Sequence, residues 1–587
     1  MKKLLVFLMA AGALTTACKK DDFLEPKTSA LTEDTVFGDS TRTMAFLARI
    51  YGDIGYTFNK GRWSSHGNTE QVTDDAEYLY SGGGQSAVQL YSGSLSPLTF
   101  YGNVPSNDFW QVPWDNIRRV NLLMSELPRT PLSKAKQARM VAEARFLRAW
   151  YYHCLLSHYG GVPIINDQVF GLEDFINLPR TSYADCVTYL IQELDAVAAV
   201  LPDVNGYPAA DYGRVTRGAA LGLKSRLLLY AASPLFNGGA ETSDASLASV
   251  VSYPSASVAR WQAAADAAAA LMTGPDAKYA LNVDNTTAPG YGFYNVFLLR
   301  QNTEYIFFVN RAPNRDMEVF YNPPSRGGQT NSTPTQNLVD AFPMKNGLPI
   351  SAAGSGYVAT NPYANRDPRF YNSILYNSTA QTPCRYFLTT ANAQSEVFTY
   401  EGAASDGINI SNSSTGYFSR KMCDVNIAAN SGTNTQRGWP LMRYAEILLN
   451  YAEAINEAGQ PALAYPALIQ LRTRAGIEPG TNGQYGLTPG LSQAQMRDLI
   501  RNERRVELAN EDHRWNDIRR WKIAMVTNNA FNNRMRIVRA GTSPNFTYTY
   551  NVVPTIRRHN FRPEMYLLPI PDSEIRKVPL MRQNPGW

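Results

Sequence analysis

The sequence predicts a mostly α-helical protein: a scaffold of helical hairpins of about tetratricopeptide size, carrying a loop-rich, short-strand insert. Three observations predict it. Apolar residues recur at steps of three and four over long stretches in both halves of the chain. Glycine and proline stops separate successive helical stretches by only a few residues, which suits antiparallel pairs. Between about residues 280 and 437 the composition turns to Asn, Thr, Ser, Gly and Pro, with short β-like runs such as 304–309. With 587 residues the chain has the length of about four ~150-residue domains, and its 44% hydrophobic and 18% charged residues exclude intrinsic disorder.

The elements follow in order. Lys2 and Lys3 precede an apolar stretch from Leu4 to Leu14, and Ala17 and Cys18 close it, so residues 1–17 read as a signal peptide of the lipoprotein type with Cys18 as the lipidated residue. Residues 18–40 form a polar tether. No later stretch has the ~20 apolar residues of a membrane helix, which leaves the lipid as the anchor. An N-terminal helical region spans 41–279. Its clearest helix runs from Ala135 to Tyr159, where Met140, Ala144, Leu147, Tyr151, Cys154, Leu155 and His158 share a face and Gly160, Gly161 and Pro163 stop it. A second runs from Arg214 to Leu229, and an alanine-rich one from Trp261 to Met272 packs closely on a neighbour. Within this region residues 56–112 form a long loop segment dense in Gly, Ser, Asn and aromatics, the kind of loop that carries function on a rigid scaffold. The insert covers 280–437. The C-terminal scaffold covers 438–587: a helix from Pro440 with Leu441, Tyr444, Ala445, Leu448, Tyr451, Ala452 and Ile455 in a stripe, a second from Ala462 to Arg474, and a third opened by the Ser492–Gln495 capping box and running through Asn510.

The charge pattern removes several function classes. A net charge of +5 is too small for a nucleic-acid footprint. The arginine-rich stretch Arg501–Arg520 is interleaved with Glu503, Glu507, Glu511, Asp512 and Asp517 and reads as ion-paired helix surface. Glu503, Glu507 and Glu511 share a helical face and could form a metal or acid–base site, but Arg501, Arg504, Arg505, Arg514, Arg519 and Arg520 supply cations for all of them, and paired carboxylates ionise too readily for a general acid. His66, His153, His158, His513 and His559 have no metal-ligand spacing. No nucleophile elbow, Walker loop or dinucleotide fingerprint occurs. Asp74, Asp75 and Glu77 could hold a structural calcium but do not fit an EF-hand loop, so solvated loop carboxylates are expected and no cofactor is assigned. Cys154, Cys186, Cys384 and Cys423 lack a CxxC pair, which signals no zinc and leaves any disulfide pairing open.

Positive evidence points to the aromatics. The first loop segment holds Tyr56, Phe58, Trp63, Tyr78, Tyr80, Tyr91, Phe100 and Tyr101, and the insert holds Tyr291, Phe293, Tyr294, Phe320, Tyr321 and Tyr357 beside Arg311, Arg315, Asn310 and Asn322. Sugar rings have apolar C–H faces and hydroxyl rims, and flat aromatic platforms next to amide and guanidinium donors match both. Trp63, Tyr78, Tyr80, Tyr101, Tyr291, Tyr294, Arg315 and Tyr321 are the binding candidates; no residue is assigned a catalytic role. Trp150, Trp515 and Trp521 sit in helical patterns and are expected in the core. The low charge content favours neutral ligands.

Several segments resemble one family. Residues 142–152 with 159–164, 441–454, 500–508 with His513, Arg514 and Trp515, 566–571 and the terminal 583–587 are similar to the signature segments of the SusD/RagB outer-membrane nutrient-uptake lipoproteins, in the family's order. Lys19, Lys20, Asp21 and Asp22 after the lipidated cysteine resemble the tag that sends Bacteroidetes lipoproteins to the outer face of the outer membrane. The resemblance implies four tetratricopeptide-like units cradling an irregular binding region, and a non-catalytic, cell-surface glycan-binding protein. Such a protein captures oligo- or polysaccharide and delivers it to a SusC-like TonB-dependent transporter. Two alternatives stay open: a RagB-like relative that captures peptides, and a surface glycoside hydrolase, whose two carboxylates can lie anywhere in a sequence.

Overall fold

The computed structural model describes residues 32–54, 68–78, 86–101, 109–171, 174–384, 396–408, 415–427 and 430–587. The signal peptide, Cys18 and most of the tether lie outside them. Ten helices of eight residues or more make up the scaffold among these residues: α1 (Ser40–Tyr51), α2 (Gln111–Glu126), α3 (Lys134–Tyr159), α4 (Tyr183–Ala198), α5 (Arg217–Ala232), α6 (Val258–Ala269), α7 (Tyr444–Glu457), α8 (Tyr465–Arg474), α9 (Gln493–Glu507) and α10 (His513–Arg520). Side-chain oxygens start many of them: Ser133 caps α3, Ser182 caps α4, Thr216 caps α5, and Ser492 with Gln495 forms the expected capping box of α9. Each helix from α1 to α7 packs on the next in sequence, and α3 with α5, α5 with α7, and α7 with α9 also touch. That is the contact pattern of a stack of helical hairpins.

The stack crosses the insert without a break, because α6 packs on α7 although about 170 residues separate them in sequence. The insert is closed where it leaves and rejoins the scaffold: β2 (Tyr305–Asn310) pairs antiparallel with β6 (Gly438–Arg443), Asn310 opposite Gly438. The helix expected from Pro440 therefore starts at Tyr444. Residues 438–443 are a fully buried strand, and strand pairing with β2 takes precedence over the helical periodicity that includes Leu441. From Ala142 to Tyr159, α3 is buried on nearly all sides, where an amphipathic face was expected. Trp150, Trp515 and Trp521 lie in the core, none more than 4% exposed.

Two hydrophobic cores result. The larger joins the helical stack with the C-terminal segment. The smaller belongs to the insert and is rich in tyrosine: Tyr294, Tyr363, Tyr376, Tyr400 and Tyr417 pack with Phe370, Phe418, Leu338 and Val339. Small strand pairs hold the insert in place, β1 (Ala76–Tyr78) with β3 (Ser332–Pro334) and β4 (Ile374–Leu375) with β5 (Phe418–Ser419). The C-terminal region, expected as a helical scaffold, is not helical throughout. Residues 531–558 form a long hairpin, β7 (Phe531–Thr542) with β8 (Asn545–Arg558), whose Met535 and Ile537 enter the insert's core.

Candidate ligand-binding site

The first loop segment is tied into the molecule by its acids. Residues 68–77 are all buried. Arg514 donates to both carboxylate oxygens of Asp74 at 2.8 Å, and Arg505 lies 2.5 Å from Asp75. Burial pushes the Asp74 carboxyl up, but Arg505 and Arg514 outweigh it and hold the group below the ordinary carboxylate range. Glu77 accepts hydrogen bonds from the Asn532 amide at 2.9 Å and the Thr555 hydroxyl at 3.1 Å, both on the hairpin. The three acids expected to be solvated loop carboxylates, or calcium ligands, are instead buried anchors. β1 continues this segment by pairing with β3, with Tyr78 opposite Ser332, so the first loop segment and the insert meet along one strand pair.

The eight candidate residues do not form one platform. Trp63 and Tyr80 lie outside the described residues, and for Tyr78 only the backbone is described. Tyr321 is fully buried, and its hydroxyl donates to Glu70 at 2.8 Å. Tyr294 is 2% exposed; its hydroxyl donates to the Cys423 carbonyl at 2.6 Å and accepts from the Val425 amide at 3.0 Å. Both are anchors with no ring face available to a ligand, because a tyrosine in a polar-rich loop can satisfy its hydroxyl and bury its ring together. Tyr291 is half-buried, its ring 5.9 Å from that of Tyr294. Arg315 caps the short helix Asp316–Tyr321 through its backbone carbonyl. Tyr101 lies elsewhere, hydrogen-bonded to Tyr159 and to the Pro569 carbonyl. There it lines a groove of about 610 Å³ with Trp110, Trp114, Phe170 and Met581.

The structure adds a group of residues that the sequence reading passed over. Along β8, Phe546, Tyr548 and Tyr550 are half-buried while the intervening Thr547 and Thr549 are exposed, the alternation of a strand with one face on a core. Tyr548 lies 6.1 Å from Tyr400, which lies 6.1 Å from Phe398, and Tyr550 lies 5.5 Å from Tyr363. The guanidinium of Arg539, opposite Tyr548 in the ladder, stands 4.0 Å from the ring centre of Tyr400 and 4.3 Å from that of Phe546. The result is a strip of rings with an arginine set between two of them, at the surface of the insert's core. The signal was in the sequence: aromatic residues alternating with threonine, Phe546 to Tyr550, directly after a Gly-Thr-Ser-Pro turn.

The acid-rich helix has a different role. Glu503, Glu507 and Glu511 are at most 2% exposed, so the expected surface network is a buried one. Their cations come from other elements. Arg369 pairs with Glu503 at 2.7 Å and with Glu507 at 3.1 Å, Arg443 with Glu507 at 2.8 Å and Glu511 at 2.6 Å, and Lys421 with Glu511 at 2.6 Å. Arg472 pairs with Glu503 at 2.9 Å, and Arg474 also reaches Glu507. The arginines of the acid-rich stretch turn elsewhere: Arg504 and Arg520 to Asp517, Arg505 and Arg514 to Asp74, and Arg519 to the Tyr566 and Ser157 carbonyls. Burial raises the Glu507 carboxyl, yet Arg474, Arg443 and Arg369 together bring it down to about 2, the wrong direction for a general acid. Among the described residues no group of three or more His, Cys, Asp and Glu is arranged to hold a metal ion. Cys154, Cys186, Cys384 and Cys423 are free thiols.

Residues 299–587 match the model of the SusD family, and residues 22–229 match a second model, described as starch-binding associating with outer membrane. A SusD-like protein of Formosa agariphila is 34% identical over 165 residues, 27% of this chain; the match spans 28% of that relative's length. A crystal structure of a SusD-like protein from Bacteroides fragilis superposes with a TM-score of 0.73 at 26% identity, covering 95% of this chain and 99% of that one. A SusD-like carbohydrate-binding protein of the same organism gives a TM-score of 0.71 at 23% identity over 93% of this chain and all of its own. No helix among the described residues is long and apolar enough to cross a membrane.

Proposed function

From the premise that this chain belongs to the SusD family, we propose that it is a lipid-anchored, cell-surface protein that captures oligo- or polysaccharide and hands it to a SusC-like TonB-dependent transporter in the outer membrane. Capture requires no chemistry of its own, and the reading is of a non-catalytic protein. The observation that carries it is the ring strip Phe398–Tyr400–Tyr548 with Arg539, set on a core that β1 joins to the first loop segment. Rings of this kind take the C–H faces of sugars, and adjacent donors take the hydroxyl rim. Trp63 and Tyr80, which lie outside the described residues, are kept in this reading as proposed ligand-binding residues.

Peptide capture is the second reading, and one observation favours it: β8 pairs only with β7 among the described residues, and a free strand edge can accept an extended peptide. Native gels cast with a panel of polysaccharides, run with the soluble chain lacking residues 1–18, separate the two. Glycan capture predicts retardation in at least one gel and its loss in Tyr548→Ala and Trp63→Ala at unchanged thermal stability. Retardation in none, with peptide binding in its place, would overturn it.

A further inference from the structure

The chain carries 55 basic and 50 acidic residues. Residues 531–558 contain Arg534, Arg536, Arg539, Arg557 and Arg558 and no Asp, Glu or Lys, so outside the hairpin 50 basic residues face 50 acidic ones. The whole formal excess of positive charge is therefore concentrated in one hairpin, and that hairpin supplies Arg539, Phe546 and Tyr548 of the ring strip.

The five arginines are not equally engaged. Arg536 pairs with Glu401 at 2.7 Å, and Arg558 donates to the Asn529 carbonyl. Arg557 interacts with Tyr91. The Nε of Arg534 is buried with no hydrogen-bond partner among the described residues. Arg539 is exposed, and among the described residues it makes neither an ion pair nor a hydrogen bond through its guanidinium; its contacts are the rings of Tyr400 and Phe546. A guanidinium held against rings keeps its in-plane N–H donors available, and those donors match a carboxylate or sulfate two at a time. An unpaired arginine beside half-buried rings combines a sugar platform with an anion clamp.

Resting on the glycan-capture reading, we infer that the ligand is an anionic polysaccharide, one bearing uronate or sulfate groups, with Arg539, held against the buried Tyr400, gripping the anion while the half-buried Tyr548 and Phe546 take the sugar faces. This revises the expectation of a neutral ligand drawn from composition, because the average charge content hid a local excess.

The test is affinity electrophoresis of the soluble chain in gels of polygalacturonate and carrageenan, against gels of starch and laminarin, with poly-glutamate as a non-sugar polyanion. The expected result is retardation by an anionic gel, weakened by raising NaCl from about 0.05 to 0.5 M as the Debye length shortens. It should weaken roughly ten-fold in Arg539→Gln, the order expected for a charge-assisted contact. Arg539→Lys should recover part of the loss, and Arg576→Gln, an exposed control at the C-terminal end, should leave it intact. Retardation by a neutral gel alone, unaffected by Arg539→Gln, would overturn the anionic ligand while leaving glycan capture standing. Retardation by no gel would overturn both. Poly-glutamate binding as tight as the anionic gel's would overturn the sugar component in favour of an acidic polypeptide.

Discussion

Two arginine-rich stretches lie side by side in this chain and use the same side chain in opposite ways. In residues 501–520 six arginines are mixed with five acids, and the stretch is largely buried; in 531–558 five arginines have no acid among them, and most of the strands are exposed. In the first, Arg504 and Arg520 meet Asp517 within the stretch, while Arg369, Arg443, Arg472, Arg474 and Lys421 come from other elements to neutralise its glutamates. In the second, Arg539 meets only rings. What decides between a structural and a ligand-facing arginine is therefore the local supply of acceptors, carboxylates above all. A buried arginine needs a carboxylate or, as Arg519 has, backbone carbonyls to offset its desolvation; at the surface it stays solvated and ready for an anion.

The largest expected effect breaks the buried side of the contrast. Arg443→Ala leaves Glu304, Glu507 and Glu511 short of a cation and should cost about 3–5 kcal/mol, the range for breaking a buried pair, read from urea unfolding. A loss below about 1 kcal/mol would place that cluster in the class of surface pairs. The pH dependence should be the next largest. Burial, reinforced by Arg226, lowers His153 to about 3, and burial, reinforced by Arg519, lowers His158 to about 3. Both imidazoles are thus neutral when folded. Their contribution is complete above the ordinary imidazole value of about 6.5 and is lost as pH falls toward 3. Glu507, held near 2, loses its contribution at lower pH, from the ordinary glutamate value of about 4.3 downward. Calorimetric melting points should decline from pH 6.5 and fall steeply below 4; a melting point constant down to pH 4 would show that the two imidazoles accept protons in the folded state. The smallest effect sharpens the exposed side. Arg539→Gln should change folding stability by no more than about 0.5 kcal/mol, as for a surface position, whatever it does to ligand.

Much of the helical scaffold was legible because its signals are local: caps such as Ser492 with Gln495, the stops at Gly160 and Gly459, and the stripe through Leu448 and Ile455. The ionic character of Glu503, Glu507 and Glu511 was legible too. Their partners were not, because Arg369, Lys421 and Arg443 lie 64 or more residues away from the glutamates they reach. The binding candidates suffered from the same lack of range. A tyrosine among Gly and Asn looks alike whether its hydroxyl meets water, as a ligand site needs, or Glu70, as that of Tyr321 does. The hairpin was missed for a different reason: its alternation was present in the sequence, but the helical pattern on its N-terminal side was extended across it.

The pairing of Asn310 with Gly438 brings the two ends of residues 311–437 to within about 5 Å, a gap a tight turn can bridge. Geometry alone would make the intervening stretch an exchangeable cassette, free to be shortened or swapped between relatives. Arg369 and Lys421 forbid that freedom, since both lie inside the cassette and deleting them would leave Glu503, Glu507 and Glu511 with fewer cations in a dry interior. Evolutionary drift in this half of the molecule is thus expected to be uneven: the stretches between the two cationic bolts can change length and composition, while the bolts and the glutamates they seat on must change together or not at all.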